Sequence, residues 1–197
     1  MKRTKEEAEV TIENLISIAR KQFTLRGYHK TSLEDLVKEA GVTRGALYHH
    51  FKNKKGLFLT VFERIQLEIA EQVESEAAKS TDVWRQLLNG CQAFIMSAIK
   101  EDNRQILLID GPAVLGWETW RQMDESYSMK SLYEQLHLMQ AAGHLRPTSI
   151  EALTHILSGA MNESALWLAQ QSDYKSKLED VMNVLTQTIY TFKKEES

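Results

Sequence analysis

Little in this sequence could staple, interrupt or anchor the chain. One of its 197 residues is cysteine, Cys91, and two are proline, Pro112 and Pro147. A single thiol cannot close an intrachain disulfide, and without Cys-x-x-Cys pairs there is no zinc or thiol-redox motif. Scarce proline leaves long helices uninterrupted, and most of the nine glycines fall between periodic segments. Long apolar runs are missing too: the longest, Ala165 to Ala169, is about five residues, against the roughly 18 needed to cross a bilayer. The opening Met1-Lys2-Arg3-Thr4-Lys5-Glu6-Glu7 has no apolar stretch of the signal-peptide kind, so a soluble, cytoplasmic chain without a membrane partner is expected.

What is present is ordinary in bulk and uneven in distribution. Hydrophobic residues make up 43% and charged residues 26%, the balance of a folded globular protein rather than a disordered one. The net charge of −3 hides an asymmetry. Residues 1–56 hold 12 lysines and arginines against 7 acids, net +5, whereas the rest holds 12 against 20, net −8. A basic module followed by an acidic body suggests that only the first part meets a polyanion.

The periodicity is helical throughout. Ile12, Leu15, Ile16, Ala19 and Phe23 form one apolar stripe that ends before Gly27. Thr31 or Ser32 can cap a short second helix with Leu33, Leu36, Val37 and Ala40 inward; Gly41 then turns the chain into a third helix over about Thr43 to His50. Asn53 caps a fourth, with Leu57, Phe58, Val61, Phe62, Ile65 and Ile69 on one face, reaching the late seventies. Further helices are expected over 82–100, 103–109, 116–142, 149–171 and 174–193. The fold class expected is all-α with about nine helices.

From Ser32 to Phe51 the pattern is that of a helix-turn-helix: a short amphipathic helix, a tight Ala40-Gly41-Val42 turn, and a helix with Leu47 and Phe51 inward at i, i+4. Gly45, Tyr48 and His49 then lie off the inward face, and Thr43 and Arg44 occupy the first turn, where a recognition helix meets base edges. Arg44 can donate a hydrogen-bond pair to guanine, worth about 1–3 kcal/mol of discrimination, and Thr43 can reach a phosphate, a base edge or a thymine methyl. Gly45 costs about 1 kcal/mol in a helix relative to alanine, which close approach of backbone to DNA would offset. Tyr48, His49, His50 and Lys54 can reach phosphates, Lys54 from the first turn of the fourth helix.

At these residues the sequence resembles the TetR family of bacterial transcriptional regulators. Phe23, Gly27-Tyr28, Thr31-Ser32, Ala40-Gly41-Val42-Thr43, Gly45-Ala46-Leu47-Tyr48 and His50-Phe51-Lys52-Asn53-Lys54 follow the family's N-terminal pattern in order and spacing, over roughly residues 8 to 68. Leu36-Val37 departs from it, isoleucine-alanine being commoner there; both substitutes are apolar, so only local packing is affected. The resemblance adds Thr31, Ser32 and Ala46 to the candidate DNA contacts. It implies a three-helix DNA-binding domain at 8–68 and a helical effector-binding and dimerisation domain at 69–197. The function implied is that of a repressor that binds palindromic double-stranded operator DNA as a homodimer and is released by a small, largely apolar effector. Such a protein works in the bacterial cytoplasm, on the nucleoid when DNA is bound.

In the acidic body, Met96, Trp117, Trp120, Met123, Tyr127 and His137 are the candidate effector contacts, although aromatic and methionine side chains at helical spacing are more often core. Leu178, Val181, Met182, Leu185 and Ile189 give the last helix a continuous apolar stripe, the candidate dimer interface. Small residues at Ser158-Gly159-Ala160 and Ser164-Ala165 would let a partner helix approach closely. An enzyme is the competing reading, resting on His49-His50, His137, His144, His155 and nearby carboxylates, but no catalytic, metal-binding or phosphate-loop pattern is present. A helical scaffold that uses the helix-turn-helix only for packing is the other. Neither metal nor cofactor is expected.

Overall fold

The computed structural model describes residues 5–195; residues 1–4, in the opening segment, and 196–197, at the end of the expected second domain, lie outside the described residues. Ten helices follow one another: α1 Lys5–Lys30, α2 Leu33–Glu39, α3 Arg44–Phe51, α4 Lys54–Ala77, α5 Val83–Ile99, α6 over 101–115, α7 Trp117–Ser126, α8 Ser128–Ala141, α9 Ile150–Leu168 and α10 Tyr174–Tyr190. Helix α6 is continuous but not uniform. Its middle, Gln105–Asp110, is π-helical, and the Gly111 N–H closes a bond to the Ile106 carbonyl five residues back. The single helix expected over 116–142 is divided at Tyr127, whose φ −120° and ψ −97° leave the helical region. Just before it, the Ser126 hydroxyl donates to the Gln122 carbonyl, a side-chain bond of the kind that bends helices. Among the described residues the one β feature is an isolated bridge, Leu145 to Lys193, and no helix is long and apolar enough to cross a membrane.

The chain packs as two compact units, and the division is not the single cut near residue 68 expected from sequence. The first unit holds the chain up to Ile65 together with Glu101–Arg121; the second holds Gln66–Lys100 and the chain from Gln122 onward.

In the first unit, Leu15, Ile16, Ala19 and Phe23 of α1 and Leu57, Phe58, Val61, Phe62 and Ile65 of α4 are buried, as their spacing requires. Leu36 and Leu47 complete the core from α2 and α3, and the Phe23 and Phe58 rings meet edge-on at 5.2 Å. Segment 101–121 belongs here because it satisfies polar groups of α1. Arg20 donates to the Asn103 side chain at 3.0 Å, and Thr24 donates to the Asp102 carbonyl at 3.0 Å. Gly27 sits at φ 74°, ψ 166° and breaks the α1 ladder; the Tyr28 N–H that follows donates to the Asp110 carboxylate at 2.7 Å. Two glycines allow the closest approaches. A Cβ on Gly111 would meet the Phe62 ring at 2.7 Å, and one on Gly56 would lie 2.0 Å from the Phe51 carbonyl oxygen.

In the second unit α9 packs against α5 and α8, and α10 lies on α9. The core includes Leu87, Phe94, Ile95, Leu132, Leu136, Met139, Leu153 and Leu157. The tail after α10 is held to the 144–146 segment: Arg146 N–H donates to the Phe192 carbonyl and Lys194 N–H to that of His144, both at 2.9 Å.

Candidate nucleic-acid interface and ligand cavity

The turn between α2 and α3 is built by backbone bonds that follow from Gly41. At φ 64° it lets the Val42 N–H reach the Val37 carbonyl (3.0 Å) and its own N–H reach that of Lys38 (3.3 Å), the Schellman closure of a helix. Both helices then start on a capping hydroxyl. Ser32 accepts from the Asp35 N–H at 3.0 Å, and Thr43 from the Ala46 N–H at 3.2 Å. At the start of α4 the Asn53 side-chain amide oxygen accepts from the Gly56 N–H at 2.8 Å.

With Leu47 and Phe51 buried, α3 turns the rest of its surface outward: Thr43, Arg44, Gly45, Tyr48, His49 and His50 are all exposed. The Arg44 guanidinium lies 5.6 Å from the Tyr48 ring centre and donates to its hydroxyl at 3.4 Å. That bond raises the Arg44 pKa further above the usual guanidinium value. A Cβ on Gly45 would meet nothing closer than the Thr43 hydroxyl at 3.9 Å, so folding alone does not demand glycine there. Ala46 is half-buried. Lys54 places its ammonium 4.2 Å from the Tyr28 ring centre, and burial draws its pKa below the usual lysine range while Asp110 works the other way. Lys52, exposed at φ 62° just past α3, is a further cation that the reading of contacts above passed over; its place in the His50-to-Lys54 run was the signal.

Thr31 is a correction. It is 2% exposed, and its hydroxyl donates inward to the Gly27 and Gln22 carbonyls at 2.8 and 3.2 Å. Its hydroxyl ties off the end of α1 rather than facing a ligand.

Two pattern matches frame this geometry. Residues 15–61 match the family described as bacterial regulatory proteins, tetR family, and residues 84–191, more than half the chain, match the tetracyclin repressor-like C-terminal domain. This chain belongs to the TetR family. A TetR-family transcriptional regulator from Pectobacterium atrosepticum of known structure is 31% identical, covers 99% of this chain and 100% of its own, and superposes with a TM-score of 0.81. Among curated relatives, the HTH-type transcriptional regulator AcrR of Shigella flexneri is 34% identical over 108 residues, 54% of this chain and 50% of its own. The chain thus spans about half the length of that relative. The probable acrEF/envCD operon repressor of Escherichia coli K12 is 53% identical over 57 residues, 29% of this chain and 26% of its own. The TetR family and these relatives are transcriptional regulators, not enzymes.

Within the second unit of this TetR-family chain lies a cavity of about 290 Å³, framed by the end of α4, by α5, α8 and α9, and by Asp124 of α7. None of the six residues selected from sequence as effector contacts lines it. Trp120 is buried in the first unit, its indole N–H donating to the Leu107 carbonyl at 3.1 Å, and exposed Trp117 stacks on it at 5.1 Å. Met96, Met123 and Tyr127 are half-buried outside the lining, and exposed His137 stacks on Tyr133 at 6.0 Å. Two lining residues carry a different signal in sequence: Asp124 falls at i+4 from Trp120, a carboxylate on an apolar register, and Ser158 stands at i, i+4 with Asn162 on α9.

The apolar stripe of α10 also divides. Leu178, Leu185 and Ile189 are buried within the chain itself and have little surface to offer a partner, while Val181 and Met182 are half-buried. Among the described residues of these two helices, Ile156 and Trp167 on α9 and Tyr174, Val184 and Tyr190 on α10 are large side chains left exposed.

Proposed function

We infer that the protein is a ligand-responsive repressor that grips a palindromic operator as a homodimer, α3 of each copy entering one major groove. The observation that carries this is the outward face of α3: a capped helix whose core-facing residues are Leu47 and Phe51 and whose remaining surface is Thr43, Arg44, Gly45, Tyr48, His49 and His50. Arg44 reads a base edge; Ser32, Tyr48, the histidines and Lys54 hold phosphates; Gly45 lets backbone approach DNA. The Escherichia coli relative, a probable operon repressor, supports repression.

Dimerisation uses the exposed apolar side chains of α9 and α10, Ile156, Trp167 and Val184, with the half-buried Val181 and Met182. A two-fold pair expects half-sites about one helical turn, or a small multiple, apart. The effector enters the cavity of the second unit. Helix α4 carries Lys54 at its start and the lining residues Val73, Glu74 and Ala77 at its end, so one helix registers both events. A ligand that prefers one arrangement of α4 weakens operator binding, and operator weakens the ligand by the same factor.

The test begins with DNA selected by the protein from a genomic pool, followed by affinity measured across salt concentrations. Affinity should fall with a log–log slope of about −0.9 per neutralised phosphate, and Lys54→Ala should flatten it by about one unit. Arg44→Ala should cost about 1–3 kcal/mol on the selected site and relax preference at one position per half-site. Equal losses on every sequence would remove Arg44 from base reading, and a monomer in sedimentation at micromolar concentration would sink the dimeric operator model.

A further inference from the structure

The cavity of the second unit says more than that something fits. Leu87, Phe94, Met129, Leu132 and Met161 supply apolar walls. Cys91 counts with them, since burial pushes its thiol up to about 12 and keeps it neutral. The formal charges among the described lining residues are negative: Glu74, Asp124 and Glu134.

These carboxylates are placed differently. Asp124 is 2% exposed, and its Oδ2 accepts from the Ser158 hydroxyl at 3.2 Å and the Asn162 side-chain amide at 3.3 Å, which fixes its direction. Glu74 and Glu134 are exposed. Glu74 accepts from the Ser131 hydroxyl at 3.5 Å, and Glu134 pairs with Lys130 only at 3.9 Å across open solvent, a weak interaction.

A second observation points to an occupant. Ser128, the first residue of α8, is 7% exposed and lines the cavity, yet its hydroxyl oxygen has no hydrogen-bond partner among the described residues. A hydroxyl taken out of water and given no partner carries a desolvation penalty that a ligand N–H would remove.

We propose that the cavity selects an organic cation: a protonated amine or amidine on an apolar, ring-sized body, its N–H groups shared between the Asp124 carboxylate and the Ser128 hydroxyl. This rests on reading the second unit as an effector domain. A neutral ligand of the same shape satisfies the walls but offers the Asp124 carboxylate no charge-assisted hydrogen bond. An anion meets three like charges in a cleft where low-dielectric walls focus the field.

The experiment titrates the full-length protein calorimetrically with three probes that share one body: 2-(2-naphthyl)ethylamine, 2-(2-naphthyl)ethanol and 2-naphthylacetate. The amine should bind at least about tenfold more tightly than the alcohol, the margin a charge-assisted hydrogen bond provides, and the carboxylate should not bind. Asp124→Asn should reduce the amine-to-alcohol ratio to below about threefold while leaving the alcohol unchanged, and Ser128→Ala should weaken the amine alone. Because Asp124 is buried, the exposed double variant Glu74→Gln/Glu134→Gln provides an independent arm: amine affinity falls severalfold and loses most of its salt dependence. An alcohol that binds as tightly as the amine, a preference for the carboxylate, or an amine preference untouched in these variants would overturn the assignment. Operator affinity is read separately. An amine that binds selectively without releasing DNA upholds the cation site and sinks the effector reading, whereas release by the alcohol alone does the opposite.

Discussion

The two units use the same material, amphipathic helices with short turns, and close it to different degrees. In the first, a methyl group added at Gly56 would collide with the Phe51 carbonyl oxygen at 2.0 Å, and one added at Gly111 with the Phe62 ring at 2.7 Å. In the second, Gly90 is buried and lines the cavity, yet a Cβ there would meet only Val73 at an ordinary 3.5 Å. The unit that presents α3 is packed to backbone contact, as a reading head must be if its side chains are to repeat one geometry on every operator. The other unit holds a cavity of about 290 Å³.

The same substitution should therefore have opposite signs in the two units. Gly56→Ala is expected to cost roughly 3 kcal/mol or more in denaturant unfolding, because the atom in the way is backbone and cannot rotate aside. A loss under about 1 kcal/mol would show that the α3–α4 corner relaxes and would end the contrast. Gly90→Ala should instead stabilise by about 0.5–1 kcal/mol, the helical preference of alanine over glycine, while shrinking the cavity and weakening the naphthyl probes. Destabilisation there would mean that the second unit is packed as tightly as the first.

The smallest effect sharpens the comparison at the surface of the first unit. Glu13 and Arg64 are joined by paired hydrogen bonds, and the bond from Arg64 holds the Glu13 carboxyl below its usual 4.5, against the opposing effect of desolvation. A carboxyl with a lowered folded pKa contributes stability above its unfolded value and loses it as pH falls through the folded one. Since both side chains are exposed, Glu13→Gln should cost less than about 0.5 kcal/mol at neutral pH. The difference from the parent should shrink as the pH drops below 4.5, read from unfolding curves at matched ionic strength. A difference that grows on acidification would show that the pair is not what lowers the Glu13 pKa.

Much of this was legible because periodicity reports burial directly. The α4 stripe Leu57, Phe58, Val61, Phe62, Ile65 and Ile69 is buried residue for residue, and the Thr43 cap and Gly41 turn sit where their chemistry places them. Direction was harder than position. Thr31 has the right type for a phosphate contact, but its hydroxyl turns to carbonyls released by the break at Gly27, a demand created by the fold. The π-helical turns of Gln105–Asp110 carry no glycine or proline to announce them, and Leu178, Leu185 and Ile189 gave no hint whether their apolar face met α9 or a second copy. Periodicity names a buried face without naming what buries it.

The return of segment 101–121 to the first unit has a consequence in time. The Asp110 carboxylate that receives the Tyr28 N–H, and the Gly111 backbone that fits against Phe62, leave the ribosome long after the helices they complete. At about 5–20 residues per second, Arg121 is added roughly 3–11 s after Ile65. The first unit therefore cannot mature as an N-terminal bead before Arg121 has been added. All of the second unit's α5 is synthesised before the first unit can be finished, so the nascent chain already holds part of its second unit when the first is completed.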